Sequence, residues 1–407
     1  MTEASYTSMS SMPKVAIIAA AATPVGRLTP KDESIREGFE QDILSSVVAD
    51  ALAQAAIQAE HIDSAIFTQN PPTTRQLGFA TFMTAQLGLQ CKGLVTEVSQ
   101  LGITGGVAFD QAVAEIQLGR AEFSLALGVV VQSNGKIQMA MENGLRAVGD
   151  VNFQSPFGIP PIGWYALDAM RYMYEHNVSR TDIAEVAIKS RNNAMLNELA
   201  QFRSPLTMEQ VLEQRPIVEP LGLYEVPARA DGAVCLILCS EENARSLNKP
   251  YVTIKGRGFY HEGFHQIGDS PTSITAFPAA RYAAQDALAG AGVELNDIDL
   301  AELYAPCTIT EVLVSEAVGL FPAGGGVAAL LNGETSLNGT IPINTSGGCL
   351  SRGHPPQITG LYGLLELREQ LLGNAGARQV SDANLGMHTC ELGNYNAALT
   401  HILEAPQ

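Results

Sequence analysis

The sequence predicts a layered α/β fold made of two similar halves. Short apolar runs alternate with helical patterns along the chain, and one helix–turn–strand pattern occurs twice. Of the 407 residues, 46% are apolar and 16% are charged, which is typical of a globular α/β protein and not of a disordered or fibrous one. Because a chain of this length exceeds one ordinary core, we expect two or three domains or one fused double domain.

The elements of the first half follow one another in regular order. Apolar runs typical of buried strands lie at 14–19, 62–67, 94–98 and 123–130. Patterns typical of helices lie between them, at 42–56 and 102–119. Strands that alternate with helices favour a mostly parallel, layered sheet.

The segment from 153 to about 220 interrupts this order. It contains Pro160-Pro161, the single tryptophan Trp164 and a helical pattern at 183–199. We interpret it as an insertion that lies over one end of the sheet. The strand pattern then returns at 231–238.

The chain contains an internal repeat. Residues 49–57 (ADALAQAAI) match residues 285–293 (QDALAGAGV), and Ile62-Asp63 falls opposite Ile298-Asp299 at the same offset. Each copy follows an opening strand. Two such halves would place a ligand cleft where their strand ends meet. The predicted division is a flexible N-terminus at 1–12, a first half at 13–245 with an insertion at about 150–222, and a second half at 246–407.

Charge and composition exclude several classes of partner. The net charge of −18 argues against binding to nucleic acid or to an anionic membrane. The apolar runs are too short to span a membrane, and residues 1–12 lack the pattern of a signal peptide. The six cysteines form no C-x-x-C pair. We therefore expect a cytoplasmic protein with no disulfide framework and no metal site.

A glycine-rich loop holds one histidine, His354. Gly347, Gly348 and Gly353 precede or adjoin it, and Pro355 follows at once. Glycine permits positive φ and close approach, whereas proline restricts both itself and the residue before it. Such a loop before a helix is usually only a tight turn, but the rigidly held imidazole favours a functional site.

A second glycine-rich stretch, Gly102-Ile-Thr104-Gly-Gly106, begins a predicted helix. Backbone N–H groups at a helix start favour an anion or a developing oxyanion. A plain strand-to-helix turn explains the same pattern equally well.

Two further stretches carry candidate groups. Tyr304 lies at the predicted end of a strand and could donate a hydrogen bond or act as an acid, although an isolated tyrosine is more commonly a half-buried aromatic. Cys390 lies before Gly393, in what we predict to be a hairpin-like turn near His388. A cysteine there could act as an acid or base, although a lone cysteine is more often structural.

These stretches together resemble the thiolase superfamily. Gly353-His354-Pro355 resembles its Gly-His-Pro loop, and Cys390-Glu-Leu-Gly393 is similar to the cysteine–glycine element near its C-terminus. The opening strand and the 302–320 segment resemble the sterol-carrier-type group. The resemblance implies the thiolase fold, with two βαβαβαββ halves in a layered αβαβα arrangement.

Three departures separate this chain from thiolases. The nucleophilic cysteine of the family is absent, since its expected position is Gly102 and no other register supplies one. Tyr304 stands where the family has histidine or asparagine, and Ala305-Pro306 replaces Asp-Cys. Glycine has no side chain to acylate, so the covalent route is closed.

What the resemblance leaves is an apparatus for stabilising an enolate. Gly102, Thr104 and Gly393 would bind the thioester oxygen as an oxyanion hole, while Tyr304, His354 and Cys390 would be the catalytic groups. The leading hypothesis is retro-aldol cleavage of a β-hydroxyacyl-CoA, as in steroid side-chain aldolases. No cofactor is expected beyond the coenzyme A of the substrate.

Two alternatives stay open. One is an acyltransferase or thiolase subunit of a heteromeric complex that cleaves a β-ketoacyl-CoA, for example an aromatic one. The other is an inactive scaffold subunit. The resemblance also implies a homodimer through the strand near Val95, and a small partner with an OB-fold and a zinc ribbon that would complete a heterotetramer.

Overall fold

The computed structural model describes residues 12–29, 38–69, 76–133, 144, 148–262, 273–393 and 396–406. The predicted flexible N-terminus therefore lies outside the described residues, apart from Met12. The strands are β1 Val15–Ala22, β2 Ser64–Thr68, β3 Val95–Val98, β4 Phe123–Val130, β5 Pro216–Val218, β6 Leu221–Gly222, β7 Gly232–Ser240, β8 Val252–His261, β9 Leu300–Glu302, β10 Leu385–Glu391 and β11 Ala397–Glu404. The α-helices are α1 Phe39–Ala55, α2 Phe79–Gln86, α3 Thr104–Gln117, α4 Pro161–His176, α5 Arg180–Met195, α6 Met208–Leu212, α7 Glu241–Leu247, α8 Pro278–Ala291, α9 Thr308–Ala317, α10 Gly326–Leu331 and α11 Thr359–Leu371.

Nine strands form one sheet in the order β3-β2-β4-β7-β1-β8-β11-β10-β9. Outward from the central β1–β8 pair, the first half contributes β1, β7, β4 and β2. The second half contributes β8, β11, β10 and β9 in the corresponding positions. Beyond β9, at the position that β3 has in the first half, Ile343 forms a parallel bridge to Ala301. This symmetry agrees with the duplication that the sequence repeat predicted.

The expectation of a mostly parallel sheet is wrong. Among the described strands, β2–β3, β2–β4 and β9–β10 pair in parallel, while β1–β7, β1–β8, β4–β7, β8–β11 and β10–β11 pair antiparallel. The alternation of strands and helices indicates only the parallel pairs. β7 and β11, the last strand of each half, run against both of their neighbours, because neither is joined to its neighbour by the helix-on-sheet crossover that a parallel pair requires.

The layers follow the predicted αβαβα arrangement. α1 packs on β1 and β7 at one outer face, and α8 packs on β8 and β11 at the other. α3 and α11 pack on each other, and α11 contacts strands of both halves. These two helices therefore form the middle layer, and we expect the functional groups at their N-terminal ends to face each other.

The two central helices meet through glycines at their first turns. A Cβ added at Gly105 would lie 3.2 Å from the Gln357 carbonyl oxygen and 3.2 Å from the Leu361 nitrogen. A Cβ added at Gly360 would meet the Cys390 sulfur and lie 3.2 Å from the Gly106 nitrogen. A side chain at Gly360 would collide with Cys390 of β10, and one at Gly105 would crowd the backbone at the start of α11, so glycine permits this close packing.

Asp231, fully buried before β7, ties several loops together. Its carboxylate accepts hydrogen bonds from the backbone N–H groups of Leu28 (2.9 Å), Gln132 (2.8 Å) and Ser133 (2.7 Å), and from the Ser133 hydroxyl (2.5 Å). The Gln132 side chain in turn donates to the His354 carbonyl oxygen at 3.0 Å. Asp231 thus supports the loop of His354 from the first half.

Replacing Asp231 with alanine is expected to lower the free energy of unfolding by about 3 kcal/mol or more, because it leaves several buried donors without an acceptor. Urea unfolding of Asp231→Ala beside the wild type measures this. Asp286→Ala, on the exposed side of α8, is the matched control and should change stability by about 0.5 kcal/mol or less. Equal midpoints for the two variants would contradict the expectation.

Candidate active site

Tyr304 and His354 form a hydrogen-bonded pair where the two halves meet. Tyr304 follows β9, and His354 lies on the loop before α11. The Tyr304 hydroxyl oxygen lies 2.9 Å from His354 Nε2, and the residues are only 5% and 9% exposed. The structure therefore brings together two of the predicted catalytic residues, which are fifty positions apart in the sequence.

Asn344, at the start of the glycine-rich loop, binds the backbone that precedes Tyr304. Its side-chain oxygen accepts a hydrogen bond from the Leu303 N–H at 2.8 Å, and its side-chain nitrogen donates to Glu311 at 2.8 Å. Lys189, on α5, forms a buried ion pair with Glu311 at 2.5 Å. Because these groups are buried and mutually paired, they fix the start of the glycine-rich loop relative to β9.

Burial keeps the pair neutral. Desolvation, with a further contribution from the positive charge of Arg352, lowers the pKa of His354 from 6.5 to about 3. Desolvation first, and then nearby groups such as Tyr165, raise the pKa of Tyr304 well above 10. At neutral pH the site therefore contains a neutral imidazole bonded to a neutral phenol.

A small polar cavity lies behind the pair. Glu302, Arg352 and His388 are among its lining residues, and it has room for about one water molecule. Burial, followed by repulsion from Glu366, raises the pKa of Glu302 to about 7. Arg352 Nη1 lies 3.8 Å from the Glu302 carboxylate, so the cation is balanced by a nearby acid.

Gly102 lies directly against Tyr304. A Cβ added at Gly102 would meet the Tyr304 hydroxyl, and would lie 2.7 Å from Tyr304 Cζ and 2.6 Å from the Glu391 carbonyl oxygen. Tyr304 therefore occupies the space that any side chain at position 102 would need. The sequence indicated that the family's cysteine is missing at Gly102. It did not indicate that Tyr304, from the other half, fills the space of the missing side chain.

Two of the predicted oxyanion-hole groups, at Gly102 and Thr104, donate hydrogen bonds within the protein. The Gly102 N–H donates to the Leu392 carbonyl oxygen at 3.3 Å. The Thr104 hydroxyl donates to the Leu101 carbonyl oxygen at 2.6 Å and accepts from the Gln100 N–H at 2.8 Å. Gly393 has a φ of 105°, and its carbonyl oxygen accepts a hydrogen bond from Tyr165 at 2.8 Å. An oxyanion hole at Gly102, Thr104 and Gly393 stays a prediction.

Cys390 lies in β10, so the prediction that it belongs to a hairpin-like turn is wrong. The strand continues to Glu391, because residues 385–391 all pair with β11. The Cys390 sulfur is fully buried and lies 3.9 Å from both the Gly102 carbonyl oxygen and His388 Nε2. Burial raises the pKa of the Cys390 thiol to about 12, which opposes a thiolate role at neutral pH.

Cys390 is therefore expected to resist alkylation in the folded protein. Only the thiolate reacts, and with a pKa near 12 its fraction stays very small between pH 7 and 9. Mass spectrometry after iodoacetamide treatment, with and without urea, tests this. Modification of Cys390 in the folded protein at pH 7, at the rate found in urea, would contradict the expectation.

Two negative findings concern the described residues. Within them, no cluster of three or more histidine, cysteine, aspartate or glutamate residues could hold a metal ion. No helix in that part of the chain is long and apolar enough to cross a membrane.

The fold and the site define an α/β enzyme of the thiolase type, with its functional groups at the ends of two central helices. The description "Thiolase, N-terminal domain" matches residues 15–242, and "Thiolase C-terminal domain-like" matches residues 261–405. The chain belongs to the thiolase family. The known activities of its relatives, thiolase-type acyl transfer and aldol cleavage, support an enzyme of this superfamily.

Three similar proteins illustrate that range. The chain is 33% identical to an acetyl-CoA acetyltransferase of Methanothermobacter thermautotrophicus, over 75% of this chain and 79% of the relative. It is 27% identical to a steroid side-chain-cleaving aldolase of Thermomonospora curvata, over 80% of this chain and 84% of the relative. The solved structure of an Ltp2-ChsH2(DUF35) aldolase superposes with a TM-score of 0.80 at 25% identity, covering 97% of this chain and 98% of the other. The resemblance to steroid side-chain aldolases is thereby confirmed.

Proposed function

We propose that this enzyme cleaves a carbon–carbon bond in a β-hydroxyacyl-CoA by a retro-aldol reaction, without a covalent acyl-enzyme. The observation that carries the proposal is the contact of Tyr304 with Gly102. The side chain that would be acylated is absent, and a phenol bonded to His354 occupies its space. The likeness to two aldolases supports the same reaction.

The reaction balances with the groups present. The Tyr304–His354 pair accepts the proton of the substrate β-hydroxyl, and the bond between the α and β carbons breaks to give a ketone or aldehyde. The electron pair of that bond forms the thioester enolate, whose α carbon then takes the same proton back from the Tyr304–His354 pair to give the shorter acyl-CoA. The negative charge of the enolate raises the pKa of the adjacent His354 imidazole, which favours transfer of the β-hydroxyl proton to the Tyr304–His354 pair.

The proposal includes a homodimer and a second, smaller partner chain. One structural relative is described as a complex with a DUF35 chain, which supports the expected OB-fold and zinc-ribbon partner in a heterotetramer. β3 is an edge strand of the nine-stranded sheet, so it could pair with the same strand of a second copy. The six cysteines are free, which fits the expected cytoplasmic location.

Thiolysis as an acyltransferase subunit is the second candidate, since the acetyltransferase relative has the higher sequence identity. An assay of the full chain, with its partner where one copurifies, separates the two. Release of a ketone or aldehyde from a β-hydroxyacyl-CoA without added coenzyme A supports the lyase. Strict dependence on free coenzyme A, or a covalent acyl-enzyme found by mass spectrometry, would overturn it. No turnover with either substrate class would leave the inactive scaffold.

A further inference from the structure

His388 and His401 are two buried histidines that the reaction above does not use. They lie directly opposite each other on β10 and β11, and both are almost completely buried. Their Nδ1 atoms are 3.3 Å apart, and the angle between their ring planes is 20°. Hydrogen-bonded imidazoles can pass protons, because each ring can accept a proton on one nitrogen and release one from the other.

The inner end of this pair reaches the active site. His388 lines the water-sized cavity that Tyr304 also borders. His388 Nε2 lies 3.9 Å from the Cys390 sulfur, which lies 3.9 Å from the Gly102 carbonyl oxygen. Gly102 is the residue against which the Tyr304 hydroxyl packs. One water molecule in the cavity can therefore connect His388 with Tyr304.

The cavity is polar enough to hold that water molecule. Arg352 lines it, and the buried Nε of Arg352 has no hydrogen-bond partner among the described residues. Glu302 lines it too. A buried water needs about two to four polar partners, and the guanidinium, the carboxyl group and the His388 imidazole supply them.

The outer end of the pair points to the surface. His401 Nε2 has no hydrogen-bond partner in the described part of the chain and lies 3.9 Å from Asp110 Oδ1. The Asp110 side chain, on α3, is 35% exposed and forms an ion pair with Arg257 of β8 at 2.7 Å. A movement of about 1 Å by this carboxylate would bring it within hydrogen-bond distance of His401. Asp110 can then exchange a proton with solvent.

The carboxylate at the outer end sets the order of the protons. A carboxylate only accepts hydrogen bonds, so His401 carries its proton on Nε2, and its Nδ1 accepts from His388 Nδ1. His388 then presents an unprotonated Nε2 to the cavity. Burial lowers the pKa of both histidines, with further contributions from Arg352 near His388 and from His388 and Arg257 near His401. Both rings are therefore neutral at neutral pH, and every donor points from the cavity toward Asp110.

We propose that His388 and His401 form a proton relay between the active-site cavity and the surface at Asp110. This deepens the proposed function and rests on it. A proton on the Tyr304–His354 pair moves through the cavity water to His388 Nε2, while the Nδ1 proton of His388 moves to His401 Nδ1. The Nε2 proton of His401 moves to Asp110, and the reverse steps return a proton from solvent. The relay thus exchanges the proton of a buried pair while an acyl-CoA covers it.

Exchange of the α protons of acetyl-CoA and propionyl-CoA in D2O measures this path. By the reverse of the last reaction step, the Tyr304–His354 pair removes an α proton and returns it to carbon. Deuterium enters only if that proton first leaves for solvent. Retro-aldol turnover needs no such exit, because the pair gives back the β-hydroxyl proton that it took. The ratio of the exchange rate to retro-aldol turnover therefore reports on the relay.

Two variants interrupt the relay at different depths. His401→Gln keeps a polar side chain of similar size that cannot pass a proton, and Asp110→Asn removes the outer acceptor at a partly exposed position, where folding is not at risk. We expect the ratio to fall by about tenfold or more in His401→Gln and by about threefold or more in Asp110→Asn, where water replaces part of the acceptor. His61→Gln and Asp286→Asn, at exposed positions, are the matched controls and should keep the wild-type ratio.

A merely structural role has a different result. It would lower exchange and turnover equally and leave the ratio unchanged. An unchanged ratio in either relay variant, or no exchange by the wild type, would overturn the relay.

The histidine tautomers test the proton order without any activity. In nitrogen-15 NMR of the full chain labelled at histidine, His388 should be neutral with its proton on Nδ1, and His401 neutral with its proton on Nε2, at pH 7. The signals that disappear in His401→Gln identify that residue. A proton on His401 Nδ1, or an imidazolium at either position, would overturn the relay.

Failure of the proposed function is distinguishable from failure of the relay. Wild type that exchanges α protons but releases no ketone or aldehyde from any β-hydroxyacyl-CoA would refute the lyase. In that case the exchange rates of the two relay variants, compared with those of their controls, test the relay alone.

Discussion

Replacing Gly102 with cysteine is expected to give no thiolase and to damage the existing site. The new Cβ would meet the Tyr304 hydroxyl and would lie 2.6 Å from the Glu391 carbonyl oxygen, so Tyr304 must move away from His354. A displacement of about 1 Å in a catalytic group can reduce turnover by about 10²-fold. Crowding in a packed interior also destabilises by about 1–3 kcal/mol. Turnover, urea unfolding and a mass-spectrometric search for an acyl-enzyme measure the three effects.

A double variant shows whether Tyr304 causes the damage. Tyr304→Ala removes the ring but not the Glu391 carbonyl oxygen, so Gly102→Cys should destabilise less in that background than in wild type, although it should not become neutral. Gly290→Ala is the control, because a Cβ there would meet nothing closer than 3.9 Å. Wild-type stability and turnover in Gly102→Cys alone would refute the claim that Tyr304 fills the space of a side chain at position 102. A cysteine at 102 that becomes acylated in the single variant would refute it too.

Removing the Tyr304 hydroxyl or the His354 ring is expected to have the other large effect. Tyr304→Phe and His354→Ala should each lower turnover by about a hundred- to ten-thousandfold, the range for acid–base groups. Because the two groups share one hydrogen bond of 2.9 Å, they act as a unit. The double variant should therefore be little worse than the poorer single one. Steady-state kinetics of all four proteins measure this coupling.

Matched controls exist for both substitutions. Tyr174→Phe removes a hydroxyl from a residue that is 83% exposed, and His61→Ala removes an exposed imidazole. Neither should change turnover by more than about twofold, since exposed positions away from a site have small effects. Fully additive losses in the double variant would mean that the two groups act independently. Wild-type turnover in either single variant would refute its catalytic assignment.

Local patterns predicted much of the fold. The strand predicted at 123–130 agrees with β4, and the helix predicted at 42–56 agrees with α1 Phe39–Ala55 within a few residues. Both elements have strong local signals, namely an unbroken apolar run and an alanine-rich amphipathic pattern. The antiparallel centre of the sheet was missed, because strand direction depends on how the chain returns and not on the composition of the strand.

The candidate site was predicted in part for a similar reason. His354 and Tyr304 could be selected from short motifs and a family resemblance. Their hydrogen bond joins residues fifty positions apart, and the exclusion of any side chain at Gly102 depends on a contact between residues about two hundred positions apart. Gln132 and Asp231, which hold the His354 loop, likewise have no local signal.

The glycine contact between the first turns of α3 and α11 has a consequence for motion. The two halves share β1–β8 hydrogen bonds and interlocked helices, so we expect them to move as one rigid body and not as jaws around a hinge. Within the described residues, the cavity that touches Tyr304 is no larger than a water molecule. We therefore expect a substrate to enter by local displacement of segments around the pair. The hydrogen bond from Tyr165 of α4 to the Gly393 carbonyl oxygen, just beyond β10, is one contact that we expect such a movement to break.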